Sequence, residues 1–328
     1  MVKFGTNISK TGRTLIVQTE DFKRELAVKK LSRCFLGPGV RISTDALLLA
    51  LQYEVDIIIC DQYGQPVGRV TPTAFHGPVI TRIAQLELTM LSKAFDMIVK
   101  LLYTKMFNQK SVLQHFGLTY SLDLFENLLD QISSSKPDGS LDSLIALEGQ
   151  AAKIYFSELG LLLDQTWYQR VRSRRPPKDP FNSLLSYGYG ILFSRVEREC
   201  LSLGLDPYIG LLHVPRYGRR SLVLDLMEPF RPLLVDYAVI QSFLLDQMSK
   251  EYFILSETSC LLNAAGKKAC VKLIQDQGDK IPSILARDKS IFQEIKGFVK
   301  QFHLAVRQKS DSFLPPIWRD QNDLLDPL

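Results

Sequence analysis

The chain has 328 residues, of which 46% are hydrophobic and 23% charged, and its formal net charge is +5. That length exceeds one typical domain, and the balance excludes a disordered chain. So mild a positive charge permits an anionic partner without demanding one, and local clusters carry more information than the total.

The first seventy residues read as mostly strands. Thr14-Leu15-Ile16-Val17 is a short β-prone run, and Arg33 to Leu36 leads into the turn Gly37-Pro38-Gly39, followed by Val40 to Ser43. Thr44-Asp45 is expected to cap a short helix over Ala46 to Tyr53, before strands at Val55 to Cys60 and Gln65 to Val70. Thr71 to Val79, with two prolines and a glycine, reads as a linker. From Ile80 onward, Ile83, Leu86, Met90, Leu91, Phe95, Ile98 and Leu102 recur at helical spacing and predict one helix with that face inward. Further helices are expected at Leu122 to Ile132 and Leu141 to Leu163, separated by the loop Ser133 to Ser140. The fold class that emerges is α+β and multidomain: a small β domain over 1–72, a linker over 73–80, and a larger all-α domain over 81–328.

Thr166 to Pro180 departs from this pattern. It holds Trp167, Tyr168, Arg170, Arg172, Arg174, Arg175 and Lys178, with no acidic residue between Thr166 and Lys178. Such a stretch is either a solvated loop or one that follows a DNA backbone and stacks on a frayed base. Asp179-Pro180 then caps a helix running to Gly204, and Asp206-Pro207 a short one leading to His213. Later come a helical stretch after Asp236, an extended piece at Tyr252 to Leu255, a helix capped near Asn263, and a last helix from about Ser290 to Gln308. The tail from Phe313 is expected to be loose.

The five cysteines (34, 60, 200, 260 and 270) include no CxxC pair, which reads as reduced thiols in a cytoplasm. MVKFGTNISK lacks the apolar core of a signal peptide, and the apolar run Ala46 to Cys60 is broken by Gln52, Glu54 and Asp56, too early for a membrane span.

The chemistry concentrates in Gly204 to Asp236, GLDPYIGLLHVPRYGRRSLVLDLMEPFRPLLVD. His213 is followed twelve residues later by Asp225, and Asp225 and Glu228 are spaced i, i+3, over one turn of a helix. Ser221 is placed to cap that helix, and Pro232 to bend or restart it. Arg216, Arg219, Arg220 and Arg231 are interleaved. A histidine, two carboxylates and guanidinium groups suit a hard divalent cation held beside a phosphate. Elsewhere, His76, His115 and His303 have no neighbouring ligand set, and Ala264 to Lys268 lacks the glycine and hydroxyl of a phosphate loop.

This stretch resembles the signature of CRISPR-associated protein one, the integrase family that inserts spacers into CRISPR arrays. Leu147-Glu148-Gly149-Gln150-Ala151-Ala152 with Tyr155-Phe156 is similar to that family's glutamate motif. Pro180 to Tyr189, PFNSLLSYGY, is similar to its central helix. The resemblance implies Glu148, His213 and Glu228 as ligands of Mg²⁺ or Mn²⁺, with Asp225 supporting the site or activating water. It implies phosphate contacts from Arg216 and Arg231, more weakly from Arg219 and Arg220, and it tips the reading of Arg172, Arg174 and Arg175 towards DNA. Asp236 reads as structural. The implied activity is metal-dependent joining of 3′-hydroxyl ends of spacer DNA to a repeat, with hydrolysis from the same site. The implied assembly is a homodimer paired through the β domains, two of which bind a dimer of the small ferredoxin-like CRISPR-associated protein two. The alternatives are a mobile-element integrase without that partner and a catalytically inactive DNA-binding scaffold.

Overall fold

The computed structural model describes residues 5–31, 33–60, 66–70, 79–137, 140–213, 216–280, 289–308 and 312–317. The chain divides into two compact units, Met1–His76 and Gly77–Leu328; most of the expected linker, 71–78, lies outside the described residues.

In the first unit, β1 (Asn7–Thr11), β2 (Thr14–Gln18) and β3 (Lys23–Ala27) form an antiparallel meander, and β5 (Arg41–Ile42) adds in parallel to β1. β4 (Arg33–Leu36), β6 (Asp56–Cys60) and β7 (Pro66–Val70) make a second sheet in the order β4-β6-β7. α1 (Thr44–Gln52) lies between β5 and β6 in sequence. Its cap is Ser43, whose hydroxyl accepts from Ala46 N, rather than Thr44-Asp45. The shared core is Ile8, Leu15, Val28, Leu36, Ala46, Leu49, Val55 and Ile57. β1 and β3 escape the sequence because NISKT and KRELA carry almost no apolar alternation.

Among its described residues, the second unit is helical except for a hairpin, β8 (Phe253–Leu255) with β9 (Cys260–Leu262), so the expectation of an all-α domain is corrected by one short sheet. The helices are α2 (Val79–Thr89), α3 (Ser92–His115), α4 (Leu122–Ser133), α5 (Leu141–Leu159), α6 (Pro180–Ser202), α7 (Ser221–Met227), α8 (Tyr237–Leu244), α9 (Ala264–Asp279) and α10 (Ile291–Val306), with a π-helical turn at Arg231–Asp236. α3 packs on α4, α5 and the π turn, and α6 on α7, α9 and α10. Asp179 caps α6 through Asn182 N at 2.7 Å, Asn263 caps α9, and Ser290 with Gln293 makes a capping box on α10. No helix forms after Asp206-Pro207; that stretch is turns up to His213.

The single helix expected from Ile80 is two helices, broken at Met90-Leu91, and its first half turns the other way. Ile83, Leu86, Met90 and Leu91 are exposed, whereas Thr81, Gln85 and Leu88 are buried. The reason is polar. The Gln85 amide donates to Asp206 O at 3.1 Å and accepts from Asp206 N at 2.8 Å, which fixes the inward face. The tail, expected loose, is packed over 312–317. Phe313 lies against Phe298 and Phe302, and Pro316 O accepts from the Asn108 amide, which also donates to Pro229 O. Residues 318–328 lie outside the described residues. Among the described residues no helix is long and apolar enough to cross a membrane.

Candidate active site

Three elements bring the acidic residues together. On α5, Glu148 falls on the inward stripe of Leu144, Ala151 and Tyr155, at steps of four, three and four. On α3, Leu101, Lys105, Asn108 and Val112 form a buried stripe of the same spacing. Glu228 is the C-cap of α7 and is buried. The Lys105 ammonium lies 2.5 Å from Glu148 Oε1 and 2.6 Å from Glu228 Oε2. Of the two carboxylates, Glu228 is the stronger electrostatic partner of Lys105. Arg231 Nε stands 3.1 Å from Glu228 Oε1. Burial works to raise the Glu228 carboxyl, but Arg231, Lys105 and His213 together outweigh it and pull it down to about 2.

His213 is aimed by Asp225, which is fully buried. Asp225 Oδ2 accepts from Leu211 N (2.6 Å) and Leu212 N (3.1 Å), and Oδ1 accepts from His213 N (3.1 Å). His213 Nδ1 lies 2.5 Å from the same Oδ1. A carboxylate only accepts, so Nδ1 carries a proton there, and in the neutral ring Nε2 is the acceptor. Gly210 closes this cradle: a Cβ there would stand 2.6 Å from Asp225 Oδ2 and 2.7 Å from Ser221. Asp225 is therefore a positioning group. Of the two expected roles, supporting the site and activating water, this geometry serves the first, because both oxygens are taken by four donors. Ser221 likewise caps nothing; Arg220 is the N-cap residue, and the Ser221 hydroxyl is buried in the first turn.

The expected ligand set is drawn together without being closed. Glu148 and Glu228 converge on Lys105, and His213 is near enough to act electrostatically on Glu228. Among the described residues, however, no three His, Cys, Asp or Glu side chains are assembled to hold a metal ion. The donor chemistry fits a divalent cation nonetheless: two carboxylates already converge on one cationic group, with an imidazole near them.

The arginines sort into two groups. Arg216, Arg174 and Arg175 are exposed, and Arg219 is half-buried in the turn that follows Arg216. Arg220, Arg231 and Arg172, also expected at DNA, meet protein partners. Arg220 Nε lies 2.6 Å from Glu197, and Arg231 pairs with Glu228 and covers the Tyr189 ring at 4.7 Å. Arg172 donates to Asn182 Oδ1 at 2.7 Å and stacks on Phe156 and Tyr189. The aromatic residues of Thr166 to Pro180 do not await a base. Tyr168 is fully buried against Phe181, and Trp167 packs on Phe243 and Phe253. Asn182 and Asp179 tie the segment's backbone to α6.

Behind the site lies a second network. Asp236, fully buried at the end of the π turn, accepts from the Tyr189 hydroxyl at 2.5 Å, and the Tyr155 hydroxyl faces it. Burial lifts its carboxyl to about 6, against the pull of Tyr189, Arg172, Tyr155 and Arg231. An unfolded aspartate titrates near 4, so the folded state binds this proton more tightly. The associated stability is complete below about pH 4 and is lost as pH rises through 6, on the order of 3 kcal/mol. In urea unfolding, Asp236→Asn is expected to gain by about that amount relative to wild type between pH 4 and pH 7. A difference that stays flat with pH would show that the carboxyl is not held up.

Lys105 is the site residue that sequence reasoning missed; Asp236 reads there as structural, and Tyr189 is named only within the central-helix motif. For Lys105 the signal was a lone cation on a stripe of Leu101, Asn108 and Val112.

Comparison with known proteins follows the same lines. The family model described as CRISPR associated protein Cas1 matches residues 1–276. The CRISPR-associated endonuclease Cas1 2 of Rhodospirillum rubrum is 32% identical over 251 residues, covering 71% of each chain. A casposase bound to its integration product shares the fold, with a TM-score of 0.81 over 95% of this chain and 90% of that one, at 21% identity. A chain of a Cas6-RT-Cas1–Cas2 complex matches with a TM-score of 0.80 at 24% identity, covering 96% of this chain and 35% of that longer one. With the family model matched over residues 1–276 and a relative 32% identical over 251 residues, this chain belongs to the Cas1 family of CRISPR-associated proteins.

Proposed function

We propose that the chain is a metal-dependent DNA integrase and endonuclease of CRISPR adaptation, joining 3′-hydroxyl ends of spacer DNA to the repeat by transesterification. The observation that carries this reading is the convergence of Glu148 and Glu228 on one cation position, with His213 held beside them. Glu148, His213 and Glu228 would hold Mg²⁺ or Mn²⁺. Such an ion polarises the scissile phosphate and stabilises charge on the leaving oxygen.

The chain's own residues prepare that chemistry. Asp225 keeps the Nδ1 proton on His213, so Nε2 presents its lone pair to the site. Arg231 offsets the charge of buried Glu228 and holds it ionised. Arg216, Arg174 and Arg175, exposed and unshared with carboxylates among the described contacts, suit phosphate oxygens along a duplex; they position it without reading sequence. A 3′-hydroxyl as nucleophile gives joining, and water in its place gives cleavage. The likeness to a chain of a Cas6-RT-Cas1–Cas2 complex supports work with the small ferredoxin-like partner; a homodimer and a cytoplasmic location are part of the same proposal.

The test is strand transfer of a 3′-hydroxyl duplex into a supercoiled plasmid bearing a repeat. Joined product is expected with Mn²⁺ and lost with chelator; joining that persists in chelator would overturn the metal role. Joining indifferent to the small partner would instead favour the mobile-element reading. Folded protein that binds DNA but neither joins nor cuts with any metal would leave the scaffold.

A further inference from the structure

Between Glu148 and Glu228 the molecule places a cation of its own. Lys105 arrives from α3, its side chain 12% exposed, and its ammonium touches both carboxylates. The two acids come from different elements, α5 and the end of α7. Without a cation between them they would face one another across a largely buried gap. An ammonium is a compact point charge on a flexible stem, the side-chain group closest in form to a bare metal ion.

We propose that Lys105 is a resident stand-in for the divalent ion: it holds Glu148 and Glu228 at their working separation in the metal-free protein, and the ion enters by displacing its ammonium. The proposal rests on the reading of those two residues as metal ligands. Both ties are close, 2.5 Å to Glu148 Oε1 and 2.6 Å to Glu228 Oε2, so one ammonium sets the spacing of the two carboxylates. The same arrangement explains why three donors of suitable chemistry are present and yet not closed into a ligand set.

A competitor bound at the site lowers apparent affinity by the fraction of sites it blocks. The full-length chain is compared with Lys105→Met and Lys105→Gln, using Mn²⁺ alone as the probe, by electron paramagnetic resonance of free Mn²⁺ and by thermal melting. Both variants are expected to bind Mn²⁺ at least about tenfold more tightly than wild type, the scale of changes beside a metal ligand. Both should melt lower without metal and gain more on adding it. Equal or weaker Mn²⁺ binding in both variants, with wild type binding normally, overturns the stand-in and leaves the metal site. Absence of Mn²⁺ binding in wild type and variants alike overturns the metal site itself and the stand-in with it. Should neither variant fold, reductive methylation of wild-type lysines decides. Lys105 is expected to be protected without metal and reactive with Mn²⁺; unchanged reactivity overturns the proposal.

Discussion

Alanine at Glu148, or at His213, is expected to lower both strand joining and cleavage by at least about 10³-fold while the chain stays folded, since each removes a group that supports the transition-state charge. Neither change should disturb the framework. The Glu148 side chain is 23% exposed, its helix is held by Leu144, Ala151, Tyr155 and Leu159, and alanine favours a helix more than glutamate does. Lys105 keeps Glu228 as a partner when Glu148 is gone. Alanine at His213 leaves Asp225 with its three backbone donors, so the loop survives the loss of the ring. Melting curves and DNA binding close to wild type, alongside absent joining and nicking, would assign both residues to the chemistry. Activity within tenfold of wild type in either variant would remove that residue from it.

Asp225→Asn carries the largest expected cost to the fold. Four donors, Leu211 N, Leu212 N, His213 N and His213 Nδ1, are shared between its two oxygens in a site closed to solvent. An asparagine has one oxygen, so whichever way it turns, its amide group is aimed at two N–H donors. Removing the charge from such a buried set costs about 3–5 kcal/mol, and the loss of ring orientation should reduce Mn²⁺ affinity or activity about 10- to 100-fold. Urea unfolding followed with a Mn²⁺ titration reads both. A stability loss below about 1 kcal/mol would mean that the cradle contributes far less than its geometry implies.

Much of this arrangement was legible in the sequence, and the failures have specific causes. Asp179, Asn263 and Ser290 announced their helices because a capping side chain acts on backbone within three residues. Glu148, His213 and Glu228 stood out through motif order and spacing. The inward face of α2 did not, because its anchor is Gln85, whose partners at Asp206 and Ile209 lie more than a hundred positions away. Periodicity there showed only the apolar face, and over α2 that face is the exposed one. Thr166 to Pro180 misled by composition: its arginines suggest solvent, while Trp167 and Tyr168 are part of the packed interior. Asp225 and Glu228, three apart, looked like a matched pair, yet the structure sends one to the histidine loop and the other to Lys105.

Gly210 shows how unevenly such a site tolerates change. The space beside Asp225 Oδ2 and Ser221 admits a hydrogen atom and nothing larger. In a record of permitted substitutions, position 210 would stand with Glu148 and His213, although it donates no lone pair, carries no charge and never touches a phosphate. Intolerance to replacement measures what a site cannot lose. It does not separate the atoms that react from the emptiness that lets them meet.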